Sequence, residues 1–167
     1  PIKRQRIDWL VEKATELGVA RMIPVLTRRT NVTRVNGERL RAHAVEAAEQ
    51  TERLDVPEIA EPVTLEKLLQ TWPRAPRILL CAEAGAARPI AEPLADFAGS
   101  APPPMAVMTG PEGGYARAEL DAMTGLDFVT PVGLGPRILR ADTAAIAALA
   151  TWQAMLGDGA ARPPARG

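Results

Sequence analysis

Three glycines crowd the segment Thr109-Gly-Pro-Glu-Gly-Gly114, directly after the apolar run 105–108, and glycines placed there let a backbone come close to a bound molecule. Their spacing is neither G-x-x-x-x-G-K-[ST] nor G-x-G-x-x-G, so triphosphate cradling and dinucleotide binding are not indicated. Glu112, inside the turn, would also repel a phosphate. A small-molecule site and a plain strand-to-helix connection both fit such a loop. The segment Leu134-Gly-Pro-Arg-Ile-Leu-Arg140 also follows an apolar run. Its Gly135-Pro136 pair sets an irregular backbone before Ile138 and Leu139, two large apolar residues that could hold a flat aromatic ring or plug the core beneath the last helix. Arg137 and Arg140 would face an anionic group. His43, the only histidine, falls in an expected helix far from both loops, where a structural or solvated role is the ordinary one. Cys81, the only cysteine, excludes an intrachain disulfide and a cysteine-rich zinc site, fits a reducing cytoplasm, and at the end of a buried strand reads as inert packing.

The elements that must position these loops follow from periodicity. Residues 4–17 place Ile7, Leu10, Val11, Ala14 and Leu17 on one helical face, and Gly18 suits the position just past the helix end. Met22-Ile-Pro-Val-Leu26 reads as a short strand in which Pro24, lacking an N–H, implies an edge position or an irregularity. Asn36-Gly37 signals a turn before a helix over 38–53, and 56–59 reads as another short strand. Thr64 caps a helix through residue 70. Runs 78–81 and 105–108 are apolar throughout, as strands buried on both faces of a parallel sheet are, and 128–132 reads as a further strand. A short helix is expected near 94–97, others over 116–123 and 142–156, the last nearly all apolar and therefore buried or packed on a partner. Strands alternating with helices define an α/β fold with a mostly parallel sheet flanked by helices. Residues 1–157 are expected to form one domain, and 158–167 a disordered tail.

The 167 residues carry 20 basic and 20 acidic groups, 47% hydrophobic residues and only 4% aromatic ones, an ordinary globular composition with a core of Ala, Leu, Ile and Val. No apolar run reaches the roughly 18 residues needed to span a bilayer, so no membrane partner is expected. The zero net charge hides a gradient: residues 1–41 hold ten basic groups against four acidic, and residues 42–100 hold five against ten. A basic end points to an anionic partner, with nucleic acid the leading candidate and a solvated arginine-rich surface the bland one.

Taken in order, Thr109-Gly-Pro-Glu-Gly-Gly114 with Glu119, Leu134-Gly-Pro-Arg-Ile-Leu-Arg140 and the helix opening Thr143-Ala-Ala closely resemble the 16S ribosomal RNA uracil-N3 methyltransferases of the SPOUT superfamily. The N-terminal half agrees through Glu12-Lys-Ala-Thr-Glu-Leu-Gly-Val19, Ile23-Pro24, Arg28 and Ala47-Ala-Glu-Gln50, so the likeness spans residues 4–157. The resemblance implies a C-terminal deep trefoil knot, one of the exceptions to unknotted topology, and a homodimer. It implies S-adenosylmethionine held by Leu80, Gly110, Gly114, Leu134, Gly135, Ile138 and Leu139. The implied substrate is 16S ribosomal RNA, naked or in the 30S subunit, in the cytoplasm.

On this resemblance Arg140 is the first choice to stabilise or orient the uridine anion, with Glu112 as a positioning group or base, and Arg28, Arg29 and Arg34 are candidates for RNA phosphate contacts. Alternatives are an inactive RNA-binding module of the same fold and a methyltransferase for another RNA. Two departures stand out. The family usually carries a small RNA-binding barrel domain ahead of this region, so the chain is expected to correspond to the catalytic domain. It also has Arg140-Ala-Asp-Thr143 where the family often has Arg-Thr-Glu-Thr, which leaves the role of the acidic position open, whereas Gln50-Thr-Glu-Arg53 keeps the family's Gln-x-x-Arg spacing.

Overall fold

A computed structural model describes residues 4–30, 35–82 and 87–161. Helix α1 (Arg4–Glu16) buries Val11 and Ala14, and Thr15 returns its hydroxyl to the Val11 carbonyl at 2.7 Å. Gly18, at φ +81°, ends the helix as its position in the sequence predicts. The strand expected over 22–26 is two strands. β1 (Arg21–Met22) pairs in parallel with β3 (Glu58–Ile59), whereas β2 (Val25–Leu26) pairs with β4 (Val63–Thr64) in a separate sheet. Ile23-Pro24 is the break. Pro24 has no N–H for a ladder, but its carbonyl still accepts from Val63 N at 3.0 Å.

From β2 the chain passes to β3 through α2 (Gly37–Gln50), capped by the Asn36 side chain on Arg39 N. It ends three residues short of the expected 53. Thr51 turns its hydroxyl back to Ala47 O, Glu52 takes a positive φ of 58°, and Arg53 N closes on Ala48 O. Freed from the helix, Arg53 sends its guanidinium to the carbonyls of Thr15 and Val19, so this residue of the Gln-x-x-Arg pattern anchors the end of α1. Helices α1 and α2 meet over Val11, Leu40 and Ala44. Helix α3 (Leu65–Thr71) starts under the Thr64 side-chain cap, as expected.

The remainder is built on β5 (Arg77–Cys81), β6 (Arg88–Pro89), β7 (Met105–Thr109) and β8 (Val129–Gly133), an all-parallel sheet in the order β6-β8-β5-β7. Successive β5 residues enter opposite cores. Ile78 and Leu80 pack with Met108, Val129, Tyr115 and Met123, and Leu79 packs with Ile90, Leu94, Val132 and Ala148. That two-sided burial explains why these runs lack polar alternation, and it stabilises the fold by about 1.5–3 kcal/mol per large side chain. Helix α4 (Ala91–Ala95) lies earlier than the 94–97 expected, because Pro93 is tolerated in a first helical turn. Helices α5 (Arg117–Thr124) and α6 (Ala141–Met155) fall where the pattern put them. Beyond α6, Asp158–Ala160 form a 3-10 turn tied to Gln153 Oε1, within the segment expected to be a tail; residues 162–167 lie outside the described residues. Among the described residues no helix is long and apolar enough to cross a membrane.

Candidate cofactor and catalytic site

Parallel pairing decides where the glycine-rich loops end up. Cys81 is in register with Thr109 on one side and Val132 on the other, so β5, β7 and β8 discharge their C-terminal loops at one edge of the sheet. Ligands bind at that edge in open α/β sheets. Leu80, one residue inside it, is 0% exposed with its side chain in the core, so only its backbone is offered to a ligand.

In the loop after β7, a Cβ on Gly110 would lie 3.0 Å from the Tyr115 ring, so glycine is what lets the buried ring fold back over the strand end. Gly114 N closes a turn on Pro111 O at 2.8 Å with Gly114 at φ +65°, which leaves Glu112 exposed at the turn. Glu119 braces the whole loop. One carboxylate oxygen accepts from Ala116 N and the other from Arg28 N, each at 2.8 Å, and the side chain is buried. Arg29 adds a second tie, donating from Nη1 to Gly113 O at 2.9 Å. The turn that carries both arginines is itself closed by Thr27 and Thr30, whose hydroxyls lie 3.0 Å apart. Arg28 and Arg29 therefore stand exposed against the glycine-rich loop, and Arg34 lies outside the described residues.

In the loop after β8, Leu134 packs into the core that holds Leu79 and Val132. Gly135 sits at φ +101°, Leu139 is partly buried, and Ile138 is 85% exposed, a large apolar side chain held out at the ligand edge. A Cβ built on Gly114 or Gly135 would meet no described atom within 4 Å. Open glycine backbone beside an exposed aliphatic side chain fits a flat, polar-edged ring such as the adenine of S-adenosylmethionine. Arg140 is the N-cap residue of α6; its carbonyl accepts from Ala144 N, its side chain is exposed, and it makes no ion pair among the described residues.

Arg6, which no sequence pattern singled out, reaches the two loops from α1. Its Nη1 lies 3.6 Å from Glu112 Oε1 and 3.9 Å from Asp142 Oδ2. His43 lies elsewhere, between the helices, with Nδ1 3.2 Å from Glu12 and Nε2 3.7 Å from Asp8. Burial pushes the Cys81 thiol up to about 12 and raises Tyr115 as well, with Cys81 and Glu119 as lesser causes. Cys81 therefore stays protonated near neutrality. Iodoacetamide at pH 8 should leave it unlabelled in the native protein and label it on unfolding, and rapid native labelling would contradict its burial.

A parallel sheet delivering glycine-rich loops to one edge defines a ligand-binding α/β domain, and the matching family model, RNA methyltransferase domain, covers residues 1–153: the chain belongs to that family. It is 32% identical over 154 residues to ribosomal RNA small subunit methyltransferase E of Rickettsia conorii, covering 89% of this chain and 59% of the relative. The same-named protein of Bacillus subtilis is 33% identical over 155 residues, with 88% and 60% covered. The chain thus spans about three-fifths of the length of these curated relatives. Among solved structures it is similar to a putative methyltransferase from Legionella pneumophila in complex with bound SAM, at TM-score 0.77 and 32% identity over 91% of this chain and 62% of that one. The methyltransferase E of Neisseria gonorrhoeae bound to S-adenosyl methionine gives 0.76 and 28%, covering 89% and 60%.

Proposed function

We propose that this chain is the catalytic portion of an S-adenosylmethionine-dependent methyltransferase acting on the N3 of a uridine in 16S ribosomal RNA of the small subunit. The observation that carries this is the alignment of Cys81, Thr109 and Val132, which gathers the loops carrying Gly110, Gly114, Gly135, Ile138 and Leu139 at one edge. The names of the relatives, and the cofactor in two similar structures, support the same activity. A deep trefoil knot is part of the proposal, favoured by β8, the last strand in the chain, lying between β5 and β6. So is a homodimer, favoured by the apolar α6, where Ile146, Leu149 and Trp152 are only partly buried and Met155 is exposed. Work on ribosomal RNA would place the protein in the cytoplasm.

The loops would hold the cofactor through the backbone at Leu80, Gly110, Gly114 and Gly135 and through the side chains of Leu134, Ile138 and Leu139. Bound there, it supplies a methyl group already activated on a sulfonium sulfur. The chain adds position and charge. Uridine N3 must lose its proton before it can act as a nucleophile, and Glu112 or solvent would take that proton. Arg140, with no carboxylate partner among the described residues, would stabilise the anion left behind. Arg28 and Arg29 would meet RNA phosphate beside the cofactor loop.

The deciding experiment adds labelled S-adenosylmethionine and this chain to 30S subunits lacking the modification, with calorimetry of cofactor binding alongside. Saturable cofactor binding and label in N3-methyluridine are expected. No binding and no thermal shift would overturn the enzyme in favour of an inactive RNA-binding module, and binding without label on 30S would point to another RNA.

A further inference from the structure

We propose that Arg6 is a positioning residue of this site, a single cation on α1 that sets the spacing between the glycine-rich loop and the start of α6. Its importance for methyl transfer rests on the proposed function; its role as a clamp does not. The two carboxylates within reach of Arg6 Nη1 belong to loops that leave different strands, Glu112 after β7 and Asp142 after β8. Among the described residues Arg6 is the only ion-pair partner that either carboxylate has.

The three groups differ in how firmly they are held. Asp142 is the anchor, with its side chain 13% exposed and its other oxygen accepting from Thr143 N at 2.9 Å in the first turn of α6, where the helix dipole favours a negative charge. Arg6 rides on a helix packed against both α2 and α6. Glu112, 46% exposed on its turn, is the group with most freedom. Arg6 therefore draws a loose carboxylate toward a fixed one that would otherwise repel it. Glu112 precedes the open glycine pair and Asp142 lies two residues after Arg140, so the distance Arg6 fixes is the one across which substrate and cofactor would have to meet. The same contact gives the Asp of Arg140-Ala-Asp-Thr143 a physical role, because a carboxylate of either length could hold this cation.

At 3.6 and 3.9 Å these are contacts of charge rather than of forked hydrogen bonds, so a lysine should replace the arginine in part, and an uncharged side chain of similar length should not. Amide hydrogen exchange on the full chain, with neither cofactor nor RNA, is the first arm. Arg6→Met should speed exchange in 110–116 and in 134–144, with Arg6→Lys close to the parent and α2 and α3 unaffected. The second arm is kinetic: Arg6→Met should lower kcat by about tenfold with little change in KM for the ribosomal substrate, and Arg6→Lys should recover most of it. Unchanged loop exchange in Arg6→Met overturns the clamp, and so does a lysine variant as impaired as the methionine one. Should the parent protein bind no S-adenosylmethionine, the proposed function fails while the exchange arm still decides the clamp. An accelerated exchange spread over the whole chain would also overturn it, since it would mean a general loss of stability.

Discussion

Arg140→Ala is expected to lower methyl transfer by at least a hundredfold while cofactor affinity stays within about twofold of the parent. The magnitude follows from what one hydrogen-bond donor is worth where anionic charge develops, about 10²–10³ in rate, or roughly 2.7–4 kcal/mol, once bound substrate and cofactor cover the exposed side chain. Stability should hardly move. Arg140 caps α6 through its backbone, at φ −66° and ψ 153°, with its carbonyl on Ala144 N, and alanine adopts that geometry as readily. The side chain is exposed and makes no ion pair among the described residues, so truncation strands no buried partner and should change stability by no more than about 0.5 kcal/mol. Single-turnover methyl transfer and calorimetry on the same preparation separate the two effects. Unchanged turnover would remove Arg140 from the chemistry, and a cofactor affinity that fell in step with turnover would reassign it to cofactor binding.

What the sequence made legible was local. The runs that became β5, β7 and β8 could be read because both faces of each are covered, leaving no polar alternation to blur them. Pro24 announced an irregularity but could not say that β1 and β2 would belong to different sheets, since that depends on partners near Glu58 and Val63. β6, only Arg88–Pro89, was too short and too polar to show any period. The glycine-rich loops were conspicuous as sequence, yet their meeting at one edge needed the order β6-β8-β5-β7, which no local pattern encodes.

Site residues divide along the same line. Gly110, Gly114 and Gly135 stood out as glycines of the two loops; Gly114 and Gly135 take a positive φ and Gly110 leaves room for the Tyr115 ring, while a role toward a cofactor came only from the family resemblance. Leu80's burial was legible in the apolar run 78–81, and it is that burial which leaves only the backbone of Leu80 for a ligand. The basic surplus of the first 41 residues proves partly internal: Arg39 pairs with Asp8 at 3.1 Å and Arg21 with Glu58 at 3.2 Å. Counting charges along a chain cannot separate such internal ties from a surface left over for an anionic partner.

The strongest dependence of the site on a distant contact is at Glu119, and replacing it should cost more stability than any other change at this edge. Its two oxygens serve different segments, Ala116 N at the start of its own helix and Arg28 N, 91 residues away. A glutamate three residues past the cap is a familiar helix-start device, so the first contact is local and modest. The second joins the arginine-bearing turn to the glycine-rich loop after β7. Glu119→Ala leaves both N–H groups of these part-buried hydrogen bonds without their acceptor, and because water can reach a part-buried donor the cost falls toward the lower end of about 1–3 kcal/mol for each stranded group, so a loss of about 2–4 kcal/mol is expected. Glu119→Gln keeps the volume and one acceptor oxygen, but its amide group turns an N–H toward one of the two donors, so a loss of about 1–3 kcal/mol should follow. Urea unfolding of both variants reads the order parent, glutamine, alanine. In the glutamine protein, if it folds, exchange at Arg28 and Ala116 should rise before exchange in the α1–α2 core does, because the link broken is between loops. A glutamine variant as stable as the parent would show that the carboxylate is dispensable, and that Arg29 on Gly113 suffices to hold the turn against the loop.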